Sequence, residues 1–109
     1  MILNEIYVFF DPKYIPIINY FYIIPSESIE SELDMIYRGI GCMRDFNGYE
    51  FENNGTITFF DFTTIEKSIN ITIPNLIIFI NPIIQDFLKN NSEKKIVIDN
   101  YIDMLLNKY

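Results

Sequence analysis

Residues 46–62 read FNGYEFENNGTITFFDF, and the reading of this stretch decides the fold. Asn54-Gly55 is the strongest short signal for a β-hairpin, because both residues tolerate the left-handed backbone that a tight turn needs. On either side stand aromatic and β-branched residues in alternation, as a strand requires. A two-residue loop at Asn54-Gly55 pairs Asn53 with Thr56, Glu52 with Ile57, Phe51 with Thr58, Glu50 with Phe59 and Tyr49 with Phe60. One face then carries Tyr49, Phe51, Thr58 and Phe60. The other carries Glu50, Glu52, Ile57 and Phe59.

Working outward, Ser68–Ile73 (SINITI) alternates in the same way and predicts a further strand, with Ile69, Ile71 and Ile73 on one side. Upstream, residues 26–39 predict a helix. Ser26 or Ser28 can cap it, and acids crowd its first turn, where the helix dipole favours them. Ile29, Leu33, Ile36, Tyr37 and Ile40 form its core-facing stripe, and Gly39 and Gly41 stop it. Before it, a helix begins at Pro12 or Pro16, with Ile15, Ile18 and Tyr22 on one face, and ends at Pro25. Residues 2–10 (ILNEIYVFF) read as a first strand.

Downstream, Pro74 opens a long apolar helix to about Asn90, kinked or broken at Pro82. Ser92 caps a final helix with Ile98, Ile102, Leu105, Leu106 and Tyr109 as its stripe. The whole chain, 1–109, reads as one α+β domain: a small antiparallel sheet with a central hairpin at about 46–62, packed against about four helices.

Fifteen acids face eight bases, for a formal net charge of −7. The charge is unevenly placed. Residues 1–66 hold eleven acids and three bases, a net of −8, whereas residues 67–109 hold four acids and five bases, a net of +1. Such a field repels nucleic acid and anionic membranes and attracts basic proteins. The plainer reading of net acidity is solubility, which does not by itself require the asymmetry.

The absences are informative. The chain has no histidine, which removes the commonest general base and metal ligand. No CxxC, HExxH, P-loop or GxGxxG motif occurs. The reading is therefore of a protein that is not an enzyme and uses no cofactor or metal. Its one cysteine, Cys42, forms no intramolecular disulfide and suits a reducing cytoplasm. The N-terminus lacks the basic region of a signal peptide, and the two most apolar stretches are too short to span a bilayer.

Two acidic features are candidate binding surfaces. The first is the helix stripe Glu27, Glu30 and Asp34, with Glu32 nearby. Its plain reading is dipole complementarity and solubility, and Asp34 can pair with Arg38 one turn on. The second is the hairpin face Glu50, Glu52, Ile57 and Phe59. Acids among exposed apolar groups are what a protein-binding surface needs: steering charge at the rim and anchors within. With Asp45, Asp61 and Tyr49 added, these residues form the expected partner-binding set, Phe59 and Tyr49 serving as its hot spots.

In style the chain resembles the immunity proteins of bacterial contact-dependent growth inhibition systems, especially those that neutralise ribonuclease toxins. The features that carry the resemblance are the helical region PIINYFYIIPSESIESELDMIYRGIG (16–41), the acidic aromatic hairpin (46–62), and closing helices that end in YIDMLLNKY (101–109). The resemblance implies a cytoplasmic antitoxin that binds a basic nuclease toxin domain one to one and covers its active-site region, touching neither nucleic acid nor membrane. It carries over no individual residue. Two rival classes remain open: an acidic structural or adaptor protein of phage or bacterial origin, and a metal-dependent enzyme working with carboxylates alone.

Overall fold

A computed structural model describes residues 12–24, 26–44, 46–62 and 67–109. The expected strand at 2–10 lies outside them, as does Asp45. The fold is α+β, and among the described residues it runs as two helices, four strands, then two helices. The elements are α1 (Ile15–Ile23), α2 (Ile29–Arg38), β1 (Cys42–Arg44), β2 (Asn47–Phe51), β3 (Thr56–Asp61), β4 (Lys67–Thr72), α3 (Ile73–Lys89) and α4 (Lys95–Lys108). Short 3-10 turns at Pro12–Tyr14, Ser26–Ser28 and Ser92–Lys94 lead into α1, α2 and α4. The sheet runs β1-β2-β3-β4, every pair antiparallel.

The central hairpin forms, but its register is one residue away from the two-residue-loop pairing. Tyr49 pairs with Phe59, Glu50 with Thr58 and Phe51 with Ile57. The Glu52 N–H donates to the Thr56 carbonyl at 2.9 Å, and the Gly55 N–H donates to the Glu52 carbonyl at 3.2 Å. The loop is thus Asn53-Asn54-Gly55, a turn closed by a left-handed glycine, Gly55 at φ 81°. Asn54 spends its side chain inside this loop. Its Oδ1 accepts from the Thr56 N–H at 3.2 Å and from the Thr56 hydroxyl at 2.6 Å.

A one-residue slip sends every β3 side chain to the opposite face relative to β2. The inner face therefore gathers Asn47, Tyr49 and Phe51 with Ile57, Phe59 and Asp61. The outer face gathers Phe46, Gly48, Glu50 and Glu52 with Thr56, Thr58, Phe60 and Phe62. Burial agrees: β3 alternates half-buried and buried along its length, with Ile57, Phe59 and Asp61 inside. β4 extends the inner face with the half-buried Ile69 and Ile71. Ile73 leaves the strand and opens α3.

Helix α1 covers the inner face. Tyr20 meets Tyr49 and Phe59 edge-on, with ring centroids 5.2 and 5.7 Å apart. The buried side of α1 is Ile17, Tyr20, Phe21 and Ile24. The expected stripe is corrected here, because Ile15 and Ile18 are only half-buried. A helix apolar nearly all round carries no polar face from which to read its orientation.

Helix α2 buries Ile29, Leu33 and Ile36 as expected. Gly39 (φ 72°) ends it. Its N–H bonds to the Ile36 carbonyl at 3.1 Å, and the Ile40 N–H bonds to the Met35 carbonyl at 3.0 Å, which together make a Schellman motif. Neither expected serine cap forms a capping bond. Ser28 precedes α2 without one, and a 3-10 turn precedes α4 where Ser92 was expected to cap.

Thr72 does cap α3, accepting from the Asn75 N–H at 3.3 Å. The helix passes Pro82 without breaking. α4 packs between α2 and α3 and buries Ile98 and Leu105, whereas Leu106, expected in the stripe, is exposed.

Candidate functional site

The register redistributes the expected binding residues. Tyr49, Ile57 and Phe59 are at most 1% exposed and belong to the core, not to a contact surface. Asp61 is also buried, and its Oδ2 accepts from the Asn19 amide at 2.6 Å. Asn47, beside Asp61 in the β2–β3 pairing, is buried without a side-chain hydrogen bond.

The acidic helix stripe is largely used within the molecule. Asp34 pairs with Arg38 at 3.0 Å and accepts from the Tyr101 hydroxyl at 3.0 Å, joining α2 to α4. The Asp34 bond, above all, raises the Tyr101 hydroxyl above its ordinary range. Glu30 lies 3.1 Å from the Lys94 ammonium, a contact that is ionic rather than hydrogen-bonded and partly exposed, hence weak. Glu32 is buried and accepts from two tyrosines: Tyr20 at 2.9 and 3.0 Å and Tyr49 at 3.0 Å. A carboxylate has the acceptor sites to take both hydroxyls. Burial first, and then the neighbouring Glu32, push the Tyr49 hydroxyl far above the usual tyrosine range. This buried trio ties α1, α2 and β2 together. Of the expected acids among the described residues, Glu27, Glu50 and Glu52 remain exposed, Glu27 in the turn before α2.

Glu50 and Glu52 stand on the outer sheet face, and their companions there are not the expected ones. At the far end of the same face lie Met43 (62% exposed), Phe46 (63%) and Phe62 (44%), with Phe60 half-buried against Phe62 at 5.4 Å between ring centroids. The Phe62 N–H donates to the Phe46 carbonyl at 2.8 Å, which continues the β2–β3 ladder and holds both rings on this face. Gly48 explains how Met43 lies there. A Cβ at Gly48 would stand 3.0 Å from the Met43 Sδ and 2.2 Å from the Cys42 carbonyl oxygen, so only glycine allows β1 this close.

The polar end is ordered by its own bonds. Thr58 donates to Glu52 at 2.9 Å, and the Asn70 amide donates to Thr56 at 2.8 Å and to Thr58 at 3.0 Å. The outer face is therefore an apolar patch of four large side chains continuous with a hydrogen-bonded acidic end.

Met43, Phe46, Phe60 and Phe62 are absent from the expected set, yet the signal for three of them lies in the hairpin. Only the pairing of Tyr49 with Phe59 gathers Tyr49, Phe51, Ile57 and Phe59 on one face, and a half-buried sheet demands such a face. That choice leaves Phe46, Phe60 and Phe62 outside with the glutamates. Met43 carries no such signal, because β1 is too short to read.

Among the described residues no group of three or more Asp, Glu or Cys side chains is placed to hold a metal ion, and no helix is long and apolar enough to cross a membrane. Comparison with known proteins finds no matching family model, no matching curated protein and no matching solved structure.

Proposed function

We propose that this chain is an immunity protein: a cytoplasmic antitoxin that acts by binding, not by catalysis, and neutralises a basic nuclease toxin domain, of ribonuclease type. The observation that carries this reading is the outer sheet face, where exposed Met43, Phe46 and Phe62 adjoin Glu50 and Glu52. Isolated exposed apolar residues are ordinary, but a cluster beside charged groups is the anatomy of a protein interface. Glu50 and Glu52 steer a cationic partner, and the phenylalanines anchor it. A surface of this sign repels RNA itself, which favours a protein partner over a nucleic acid.

The test takes the product of the neighbouring reading frame, which this reading expects to end in a basic nuclease-like domain. Co-expression of the two is expected to permit growth where the nuclease alone arrests it. Binding kinetics of the Glu50→Lys/Glu52→Lys variant are expected to show an association rate at least about tenfold lower, with the wild-type rate falling as salt rises. No protection on co-expression refutes the immunity reading. Protection with unchanged kinetics in the double variant, and in Phe46→Ala/Phe62→Ala, refutes the outer face as its surface.

A further inference from the structure

We propose that Asn54 is a self-modification site, at which the Gly55 nitrogen closes onto the Asn54 side chain and Thr56 promotes the conversion of the amide to an acid. Asn-Gly pairs are where this chemistry is easiest. Glycine has no side chain to crowd the attacking nitrogen, and its backbone reaches conformations closed to other residues. The chain has two such pairs, Asn47-Gly48 and Asn54-Gly55. The fold gives them opposite settings. Asn47-Gly48 lies within β2, and Asn47 is 1% exposed. Antiparallel ladders alternate bonded and non-bonded pairs, and Gly48–Phe60 falls in the same bonded phase as Phe46–Phe62 and Glu52–Thr56. The Gly48 N–H is therefore committed to the ladder, and attack on Asn47 requires the sheet to open first.

Asn54 and Gly55 are exposed at the tip of the hairpin loop. The Asn54 Oδ1 reaches past Gly55 to accept from the Thr56 N–H at 3.2 Å and from the Thr56 hydroxyl at 2.6 Å. This Asx-type closure brackets the Gly55 nitrogen in one ring with the side-chain carbonyl. Gly55 is uncrowded, since even a Cβ there would meet nothing within 4 Å. Its N–H rests on the Glu52 carbonyl at 3.2 Å, the long limit of such bonds. Two donors aimed at one carbonyl oxygen are also the arrangement that stabilises a developing oxyanion. The Asn70 amide donates to the same Thr56 hydroxyl at 2.8 Å, which polarises that hydroxyl as a donor.

A solvent base takes the Gly55 N–H proton, and the nitrogen bonds to the Asn54 Cγ while negative charge gathers on Oδ1. The bond from Cγ to Nδ2 then breaks, a proton from water joins the leaving nitrogen, and ammonia departs. Water opens the resulting cyclic imide at either carbonyl, which gives aspartate or isoaspartate. Neither step oxidises or reduces the chain. Aspartate retains the oxygen that accepts from Thr56 and adds a carboxylate close in sequence to Glu52, at the acidic end of the outer face. Isoaspartate instead lengthens the loop backbone by one methylene.

Peptide mapping by mass spectrometry tests this on the whole chain, incubated in warm, mildly alkaline heavy-oxygen water. In the folded protein Asn54 is expected to gain a labelled carboxyl at least about a hundredfold faster than Asn47, whose reaction waits on local opening. In urea, where both are Asn-Gly pairs of an unfolded chain, the two rates should agree within about threefold. Thr56→Val removes the hydroxyl and keeps a β-branched strand residue. It should slow conversion of Asn54 at least about fivefold in the folded chain and leave the rate in urea unchanged. The comparison of Asn54 with Asn47 in the unaltered chain carries the test if this variant fails to fold. An Asn54 that stays intact in the fold while it converts in urea overturns the inference, as does an Asn47 that keeps pace with it in the fold. An unchanged folded rate in a folded Thr56→Val variant overturns the role of Thr56. The measurements use the chain alone, so they fail separately from the reading of the outer face as a binding surface.

Discussion

Phe59 and Phe60 are adjacent and chemically identical, and the hairpin register assigns them opposite fates. Phe59 is 0% exposed, with ring centroids 5.1 Å from Tyr49, 5.7 Å from Tyr20 and 6.0 Å from Phe21. Phe59→Ala deletes that ring and leaves a cavity between α1 and the sheet, at a cost of about 3–5 kcal/mol. A domain of this size holds only about 5–15 kcal/mol in total, so the variant loses a large share of its stability. At about 4 °C or more per kcal/mol, its melting temperature falls by at least about 12 °C. Phe60 is half-buried on the outer face, with Phe62 as its aromatic contact. Phe60→Ala loses one exposed aromatic pair and part of one ring's burial, about 0.5–1.5 kcal/mol. Urea unfolding of both variants, followed by circular dichroism and fitted with a common slope, measures the difference. A gap of at least about 1.5 kcal/mol, with Phe59→Ala the weaker protein, is expected. Equal costs, or the reverse order, would show that β3 pairs in the other register and that the outer face is wrongly composed.

Other consequences are as direct. Because the Tyr49 hydroxyl is held protonated above its ordinary pKa of 10.0, the folded state retains a proton that the unfolded state loses in alkali. Stability from this group is therefore full below pH 10 and declines above it, and Tyr49→Phe should flatten that alkaline decline in a melting series from pH 8 to about 11. Gly48→Ala and Gly55→Ala separate two roles of glycine. The first drives a Cβ to 2.2 Å from the Cys42 carbonyl and should cost about 2 kcal/mol or more by displacing β1, whereas the second meets nothing within 4 Å and should cost only about 1 kcal/mol for its left-handed backbone. Chemical denaturation ranks them, and a Gly55→Ala cost above that of Gly48→Ala refutes the assignment. Glu32→Leu should cost about 3 kcal/mol or more, because it removes the carboxylate that two buried tyrosine hydroxyls donate to, and Glu32→Gln, which can still accept, should recover much of that loss in the same assay.

The elements that were legible carry local chemistry: Asn54-Gly55 for the hairpin, Gly39 for the end of α2, Pro74 for the start of α3, and alternating isoleucines for β4. What escaped was set by relations between elements. A difference of one residue in loop length separates the expected surface from the observed core, and turn preferences alone do not fix that length. The buried face of α1 is chosen by Tyr20 meeting Tyr49 and Phe59, partners 29 and 39 positions away in sequence. β1, three residues long, has no periodicity to find.

The same distinction governs the acids. A run such as Glu27, Glu30, Glu32 and Asp34 looks like one negative stripe, yet the tertiary fold sorts it by depth. Glu32 receives two tyrosine hydroxyls in the core, Asp34 bridges to α4 and Glu30 to Lys94 in the turn before it, and Glu27 is left to solvent. An acid beside a cation, as Asp34 and Glu30 are, projects little field, because the opposite charge cancels it at short range, and Glu32 is buried away from any partner's surface. Glu50 and Glu52 differ in that no cation among the described residues pairs with either, and Glu52 accepts only a neutral hydroxyl from Thr58. Their charge remains available to a partner. They stand on the face whose other end exposes Met43, Phe46 and Phe62. A basic partner is favoured less by a total of −7 than by two carboxylates that no cation among the described residues pairs with, placed beside an outer-face patch of large apolar side chains.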